Sequence, residues 1–387
     1  MPDLQRVDLL ANTVLISAEF EAIPSYTITC ETCANGTVST GEVTTAYAGD
    51  SVRVYVEADD GYSVSSVSVN GTPIVPVDGK YFFEMPACDV TVSAEFCFGD
   101  GIGARLAGYS LSLDGDIGVN FYMELSDEVI AHKDTAYMKF TIPSGTSAYE
   151  ADVLVKDALT IDVDGKTYYV FKCNVSAKDM NSEIKAQIID GDKAGTEYSY
   201  TVQTYAQYIL DNTDVAVYAA AAPLVKAMLN YGAYSQIYFG INTDNHANNI
   251  LTEQEQTLPA NVNIVHDDVS VADLPSGVTF EGYSVMLRSE VVLSLFFKNK
   301  SGEDVKFYYN GSEIEPVDNS GYLRVKITGI TAGELSSDFT VNAGSGSVTC
   351  SPMNYCKTIL EGNYDDDLKN VVKALYVYSQ AADEYLD

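Results

Sequence analysis

The chain carries one order of segments twice, and this duplication restricts the folds open to it more than any other feature. GYSLSLDGDIGVNFYME (108–124) returns as GYSVMLRSEVVLSLFFK (282–298), and YYVFKCNVSAKDM (168–180) as GYLRVKITGITAGEL (321–335). TVQTYAQYILDN (201–212) returns as SPMNYCKTILEG (351–362), with Tyr205, Ile209 and Leu210 answered by Tyr355, Ile359 and Leu360. VKAMLNYGAYSQ (225–236) returns as VKALYVYSQAAD (372–383). The early segments alternate apolar and polar residues as half-buried strands do, whereas the late ones recur at helical spacing. One stripe runs through Leu224/Val225, Met228, Tyr231/Gly232 and Ser235, the other through Val371/Val372, Leu375, Tyr378/Ser379 and Ala382. Pro223 is expected in the first turn of its helix, where a missing N–H costs nothing. Each copy therefore reads as a set of strands closed by a helix pair. The most economical architecture is an Ig-like β-sandwich with helices on one end or face, in a chain that is mainly β.

A second repeat stands before the pair. Ser-Ala-Glu-Phe occurs at 17–20 and again at 93–96, each within an alternating strand: Val14, Ile16, Ala18, Phe20, then Val90, Val92, Ala94, Phe96. The first copy reads as the last strand of a truncated repeat (1–22), the second as the closing strand of a whole one (23–98). Within the whole unit Val52, Val54 and Val56 face one way and Arg53, Tyr55 and Glu57 the other, and Asn70-Gly71 has the left-handed preference of a tight hairpin turn. The order NGTVS…AGDSVRVYVEADDGYSVSSVSVNG…YFFEMPACDVTVSAEF resembles the divergent internalin-type B-repeat family over residues 24–97. That resemblance implies β-rich modules strung in tandem on bacterial surface and secreted proteins, acting as stalk or spacer. The duplicated pair (104–387), on its LSLDGDIGVNFYMEL and PLVKAMLNYG stretches, resembles a module of large exported proteins from gut-dwelling Gram-positive anaerobes. The expected organisation is a β-repeat domain (23–98), a first sandwich-plus-helix module (99–245), a linker (246–260) and a second module (261–387). NVNIVHDDVSV (261–271) is expected to be the first strand of the second module.

Charge narrows the partners. With 55 acidic and 22 basic residues the net charge is −33, which repels phosphate backbones and anionic headgroups and argues against nucleic-acid or membrane-surface binding. No apolar run approaches the length that spans a bilayer. The first residues lack an export signal, so the chain is either cytosolic or a piece of a longer exported protein. The truncated first strand favours the second, with an extracellular or cell-surface location.

Motifs for chemistry are sparse. Asp114, Asp116 and Asn120, and separately Asp162 and Asp164, echo calcium loops but lack the spacing of an EF-type site, so turns are the expected role. No cofactor is expected, structural calcium being the alternative. Asp365, Asp366 and Asp367 precede the last helix, where carboxylates cap free N–H groups. Cys30 and Cys33 form a CxxC, with Cys88 and Cys97 around the closing strand of the same module. One or two disulfides are expected among these four, with connectivity open. Cys173 reads as a buried thiol, and Cys350 and Cys356 are ambiguous. His132, His246 and His266 all fall in loop-like or linker segments. Flat aromatic rings stack on sugars, and with 28 Tyr and no Trp the candidates are Tyr81, Tyr168, Tyr169, Tyr308 and Tyr309. Since two pairs are adjacent, one member of each is expected to point into the core. The expected function is a non-catalytic surface spacer or adhesion module that meets glycans or host-surface proteins. The alternative is a carbohydrate-binding module of a polysaccharide-degrading system.

Overall fold

The computed structural model describes residues 23–59, 61–112, 116–287 and 291–386. The strand expected within 1–22 lies outside the described residues, as does Asp114. The chain divides into two compact units, Met1–Gly101 and Ile102–Asp387.

The first unit is a small all-β body. Its strands are β1 (Ser25–Cys30), β2 (Gly36–Ser39), β3 (Thr45–Tyr47), β4 (Ser51–Ala58), β5 (Tyr62–Val69), β6 (Thr72–Pro73), β7 (Tyr81–Glu84) and β8 (Val90–Phe98). One sheet has the order β3-β1-β8-β5-β6, with β1 and β8 parallel; the other has the order β2-β4-β7. Val52 and Val54 of β4 are buried against Val67, Met85, Val90 and Val92, so the alternation seen in the sequence is the inside–outside alternation of the sandwich.

The second unit holds both copies. The first contributes β9 (Ala104–Ser112), β10 (Gly118–Leu125), α1 (Asp127–Ala131), β11 (Tyr137–Ser144) and β12 (Ser147–Leu154). It continues with β13 (Leu159–Val163), β14 (Lys166–Asn174), β15 (Ile184–Asp190), β16 (Lys193–Ala194), β17 (Tyr198–Tyr200), α2 (Val202–Asp211) and α3 (Ala216–Phe239). After α4 (Glu253–Gln256) the second copy begins with β18 (Ser270–Ala272), β19 (Val278–Leu287), β20 (Val291–Asn299), β21 (Phe307–Tyr309) and β22 (Ser312–Ile314). It ends with β23 (Val317–Asn319), β24 (Tyr322–Ile330), β25 (Phe339–Ala343), β26 (Gly346–Cys350), α5 (Pro352–Glu361) and α6 (Asp366–Leu386). The four-stranded sheets correspond strand for strand, β13-β14-β10-β9 against β23-β24-β20-β19, and each faces a five-stranded sheet. The chain is mainly β, and the two copies are sandwiches closed by helices. Thr201 caps α2 by accepting the Thr204 N–H at 2.9 Å, and Ser351 caps α5 in the same way from Asn354 at 3.1 Å.

Helices α3 and α6 pack on one another and join both copies in one continuous core, with Tyr231 stacked on Tyr378 at 5.8 Å between ring centroids. The segment 246–260 is packed on α3: Ala247 and Leu251 are buried, and the Gln236 Oε1 accepts the Ala247 N–H at 2.7 Å. Lys226 pairs with Glu255 at 2.6 Å, and together with Thr252 it holds that carboxyl down to about 2.

Two expectations are corrected. Pro223 is not in the first turn but inside α3, because the alanine-rich run Ala216–Ala222 starts the helix upstream and its propensity outweighs one lost hydrogen bond. The first strand of the second copy is not 261–271; pairing with β26 begins only at Ser270, and 261–269 makes no ladder.

Candidate binding surfaces

In the first unit the outward residues of β4 form a platform. Arg53 lies opposite Phe82 of β7, and Tyr55 opposite Ser39 and Glu57 opposite Thr37 of β2. The Arg53 guanidinium sits 4.4 Å from the centre of the Tyr55 ring, a cation–π contact that holds the ring. Tyr55 and Phe82 are 47% and 42% exposed. Tyr81 lines the rim of the adjoining depression, of about 340 Å³, while packing partly on the core. Two open rings beside a guanidinium and a carboxylate can stack on a sugar face and hydrogen-bond its hydroxyls.

In the first sandwich copy, alternation along β14 separates the adjacent tyrosines. Tyr169 packs on the core with Phe171 and Cys173, whereas Tyr168 shares the outer face with Val170. Register places Tyr168 beside Ile161, and Val170 between Tyr122 and Leu159. The Tyr122 hydroxyl is 2.9 Å from the Ser110 Oγ, which also accepts from Asn120 at 3.0 Å. Asp116 pairs with Lys172 at 3.0 Å, and Asp164-Gly165 forms the hairpin turn between β13 and β14. In the second copy Tyr309 packs on the core near Phe339, at 6.1 Å between centroids. Tyr308 instead opens onto a cleft of about 750 Å³ with Lys300, Glu303, Asp304 and Lys306. Within the second unit Tyr168 and Tyr308 stand on different sheets, so the structure does not bring these predicted residues together.

A larger aromatic cluster was missed in the sequence. Tyr109 stacks on Tyr200 at 3.9 Å and 14°, and Tyr200, Tyr205, Tyr208 and Tyr218 continue edge-to-face or tilted at 6.5, 5.6 and 5.6 Å. The row begins at Tyr109, packed against the core, passes through Tyr208, which is 48% exposed, and ends at half-buried Tyr218. Burial first, then neighbouring Tyr218, pushes the Tyr205 phenol up to about 12. The available signal was the i, i+3 spacing of Tyr205 and Tyr208 on one helix face. In the second copy Tyr283 meets Tyr355 at 5.8 Å and Phe280 at 6.5 Å.

The motif residues of the first unit turn out to hold its strands together. The Gly49 N–H donates to the Met85 carbonyl at 2.8 Å, and the Met85 N–H to the Asp50 carbonyl at 2.8 Å, so Gly-Asp and Met-Pro clasp each other. Asn70 accepts the Thr91 N–H on its side-chain oxygen at 2.8 Å while Asn70 and Gly71 make the positive-φ turn. Residues 26–98 match the family model of the divergent InlB B-repeat domain. No curated protein matches the chain.

In this B-repeat module all four cysteines are free thiols, as are the other three of the chain. Cys30 stands opposite Val92 in the parallel ladder, four residues from Cys88 and five from Cys97. At about 3.3 Å per residue the offset to Cys97 along β8 is about 16 Å, beyond the roughly 7 Å between Cα atoms that a disulfide spans. Cys30 therefore cannot bond to Cys97 without moving a strand, while Cys88 lies in the bend before β8. Cys173, Cys350 and Cys356 are buried, and desolvation pushes each thiol up to about 12. Alkylation mapped by mass spectrometry should label the B-repeat thiols in the native protein, Cys88 first, and these three only after denaturant is added. Native labelling of Cys356 as fast as Cys88 would contradict the packing of α5.

The histidines lie apart. His132 caps α1 and reaches Asp190 at 2.9 Å, the His266 Nε2 is 2.9 Å from the Ser336 carbonyl oxygen, and His246 sits in the turn after α3. Asp365 accepts the Leu368 N–H at 2.8 Å, so at least the first of the three acids acts as a helix cap. Among the described residues, no helix is long and apolar enough to cross a membrane.

Proposed function

We propose that this chain is a non-catalytic segment of an extracellular bacterial surface protein, serving as spacer and adhesion body. The observation that carries this reading is the B-repeat match at 26–98, a family of surface repeat modules. The packing of both sandwich copies around one core supports it, since a body that does not flex between its copies keeps whatever it displays at a set distance. The aromatic faces lie on open sheet surfaces and suit contact with another macromolecule. A second reading, carbohydrate binding without catalysis, is favoured by the exposed Tyr55 and Phe82 rings flanking Arg53.

A glycan array covering starch, xylan, pectin and mucin sugars, run with and without calcium, tests the two. The spacer reading expects no saturable binding in either condition. Saturable binding to one sugar class, lost in Tyr55→Ala or Tyr168→Ala, would replace it with the carbohydrate-binding reading. Binding that requires calcium would add a metal site that the proposal does not contain.

A further inference from the structure

Among the described residues strand β13 is the edge of its sheet, hydrogen-bonded to β14 alone, and all five of its residues are exposed. Leu159, Ile161 and Val163 are 71%, 40% and 47% exposed and lie on one face. A long, apolar edge of this kind is a template for another strand, and proteins that do not use such edges shorten or charge them. The second copy has done so: its equivalent, β23, is three residues, Val-Asp-Asn.

The turn determines what the edge offers. Asp164 and Gly165 both have positive φ, at 51° and 79°, as the two-residue turn of a type I′ hairpin requires. Its closing hydrogen bond runs from the Lys166 N–H to the Val163 carbonyl. Direction alternates along a strand, so Leu159, Ile161 and Val163 turn their backbone groups toward β14, and Thr160 and Asp162 turn theirs to the open side.

The five residues are self-complementary about Ile161. In an antiparallel pair of two copies of Leu-Thr-Ile-Asp-Val, Leu159 meets Val163 of the other copy, Ile161 meets Ile161, and Thr160 meets Asp162. Apolar residues face apolar residues, and the one carboxylate faces a hydroxyl rather than another carboxylate, although the chain as a whole carries −33. Thr160 and Asp162 would exchange the ladder hydrogen bonds, leaving Ile161 in the closer, non-hydrogen-bonded kind of pair. We propose that the open edge of β13 pairs antiparallel with β13 of a second copy of this chain, in the register centred on Ile161. The contact is small, so it is weak between free molecules and strong where many copies stand on one surface and raise the effective concentration. It goes beyond the spacer reading, which stands whether or not copies associate.

The test uses the whole chain. Sedimentation equilibrium over rising concentration should give an average mass that climbs above the 41.9 kDa monomer, more so at high salt, where repulsion between acidic copies is screened. Ile161→Lys should stay monomeric with an unchanged melting temperature. Under mild oxidation Ile161→Cys should form a 161–161 disulfide, identified by peptide mapping, about tenfold or more faster than Leu159→Cys or Val163→Cys alone, as preassociation raises effective concentration. Mixing Leu159→Cys with Val163→Cys should restore cross-linking. A monomer at every concentration, with Ile161→Cys cross-linking no faster than the single controls, would overturn the proposal and leave the edge to a strand of a different protein. Equal cross-linking at 159, 161 and 163 would overturn the register.

Discussion

Tyr231→Ala is expected to lower the stability of the Ile102–Asp387 unit by about 3–5 kcal/mol, the range for removing a large buried aromatic ring. Tyr231 is 4% exposed and lies on α3 at the contact with α6, its ring stacked on Tyr378 at an interplanar angle of 15°. Neither sandwich copy could close over the resulting cavity alone, because the two sides of the stack belong to different copies. Denaturant unfolding should therefore show the whole unit losing stability together, with one midpoint for probes placed in either copy. Tyr378→Ala should behave alike, and the double variant should fall short of the sum, since both single changes remove the same contact. Loss confined to one of two resolved transitions would mean that the copies fold independently.

Lys178→Ala should cost about as much, 3–5 kcal/mol, by the known effect of stripping the partner from a buried charge. Asp179 is completely buried in the 3-10 turn Ala177–Asp179, where it accepts from the Ser176 hydroxyl and from the Lys178 ammonium at 2.8 Å. Without that ammonium the carboxylate stays in the core uncompensated. Lys178→Ala combined with Asp179→Asn should recover much of the loss, because the amide needs no counter-charge. The equivalent turn of the second copy, Ala332–Glu334, is a control. There the acid is exposed Glu334, which accepts the Thr331 N–H at 3.0 Å as an ordinary capping box, so Glu334→Ala should cost only about 1 kcal/mol. Thermal or urea midpoints of the three variants decide the matter, and equal losses in both turns would refute the account.

Much of the fold was legible because it was written in local pattern. Alternation at Val52–Glu57 gave strand and face together, and the Tyr205/Tyr355 correspondence located two helices with the same cap. Alternation along the strand also separated Tyr168 from Tyr169. What was not legible depends on long-range packing. Pro223 is a local exception: it reads as a helix start until α3 is seen to begin upstream at Ala216, in the alanine-rich run that carries the helix through it. The tyrosine row gathers Tyr109, Tyr200 and Tyr205 from two strands and a helix, and no spacing along the chain links Tyr109 to Tyr200. The separation of Cys30 from Cys97 required the β1–β8 register. Gly-Asp and Met-Pro could be noticed as motifs, but their reason, a mutual clasp of Gly49, Asp50 and Met85, exists only in the folded module.

The parallel neighbours β1 and β8 also bear on how the B-repeat module would respond to force. They are its first and last strands, paired from Ile28–Val90 to Cys30–Val92. Tension applied at the two ends of the module pulls them in opposite directions along their own axes. Their ladder bonds are then loaded in shear and must fail together, whereas an antiparallel hairpin at the termini would unzip one bond at a time. A module built this way resists extension by its topology.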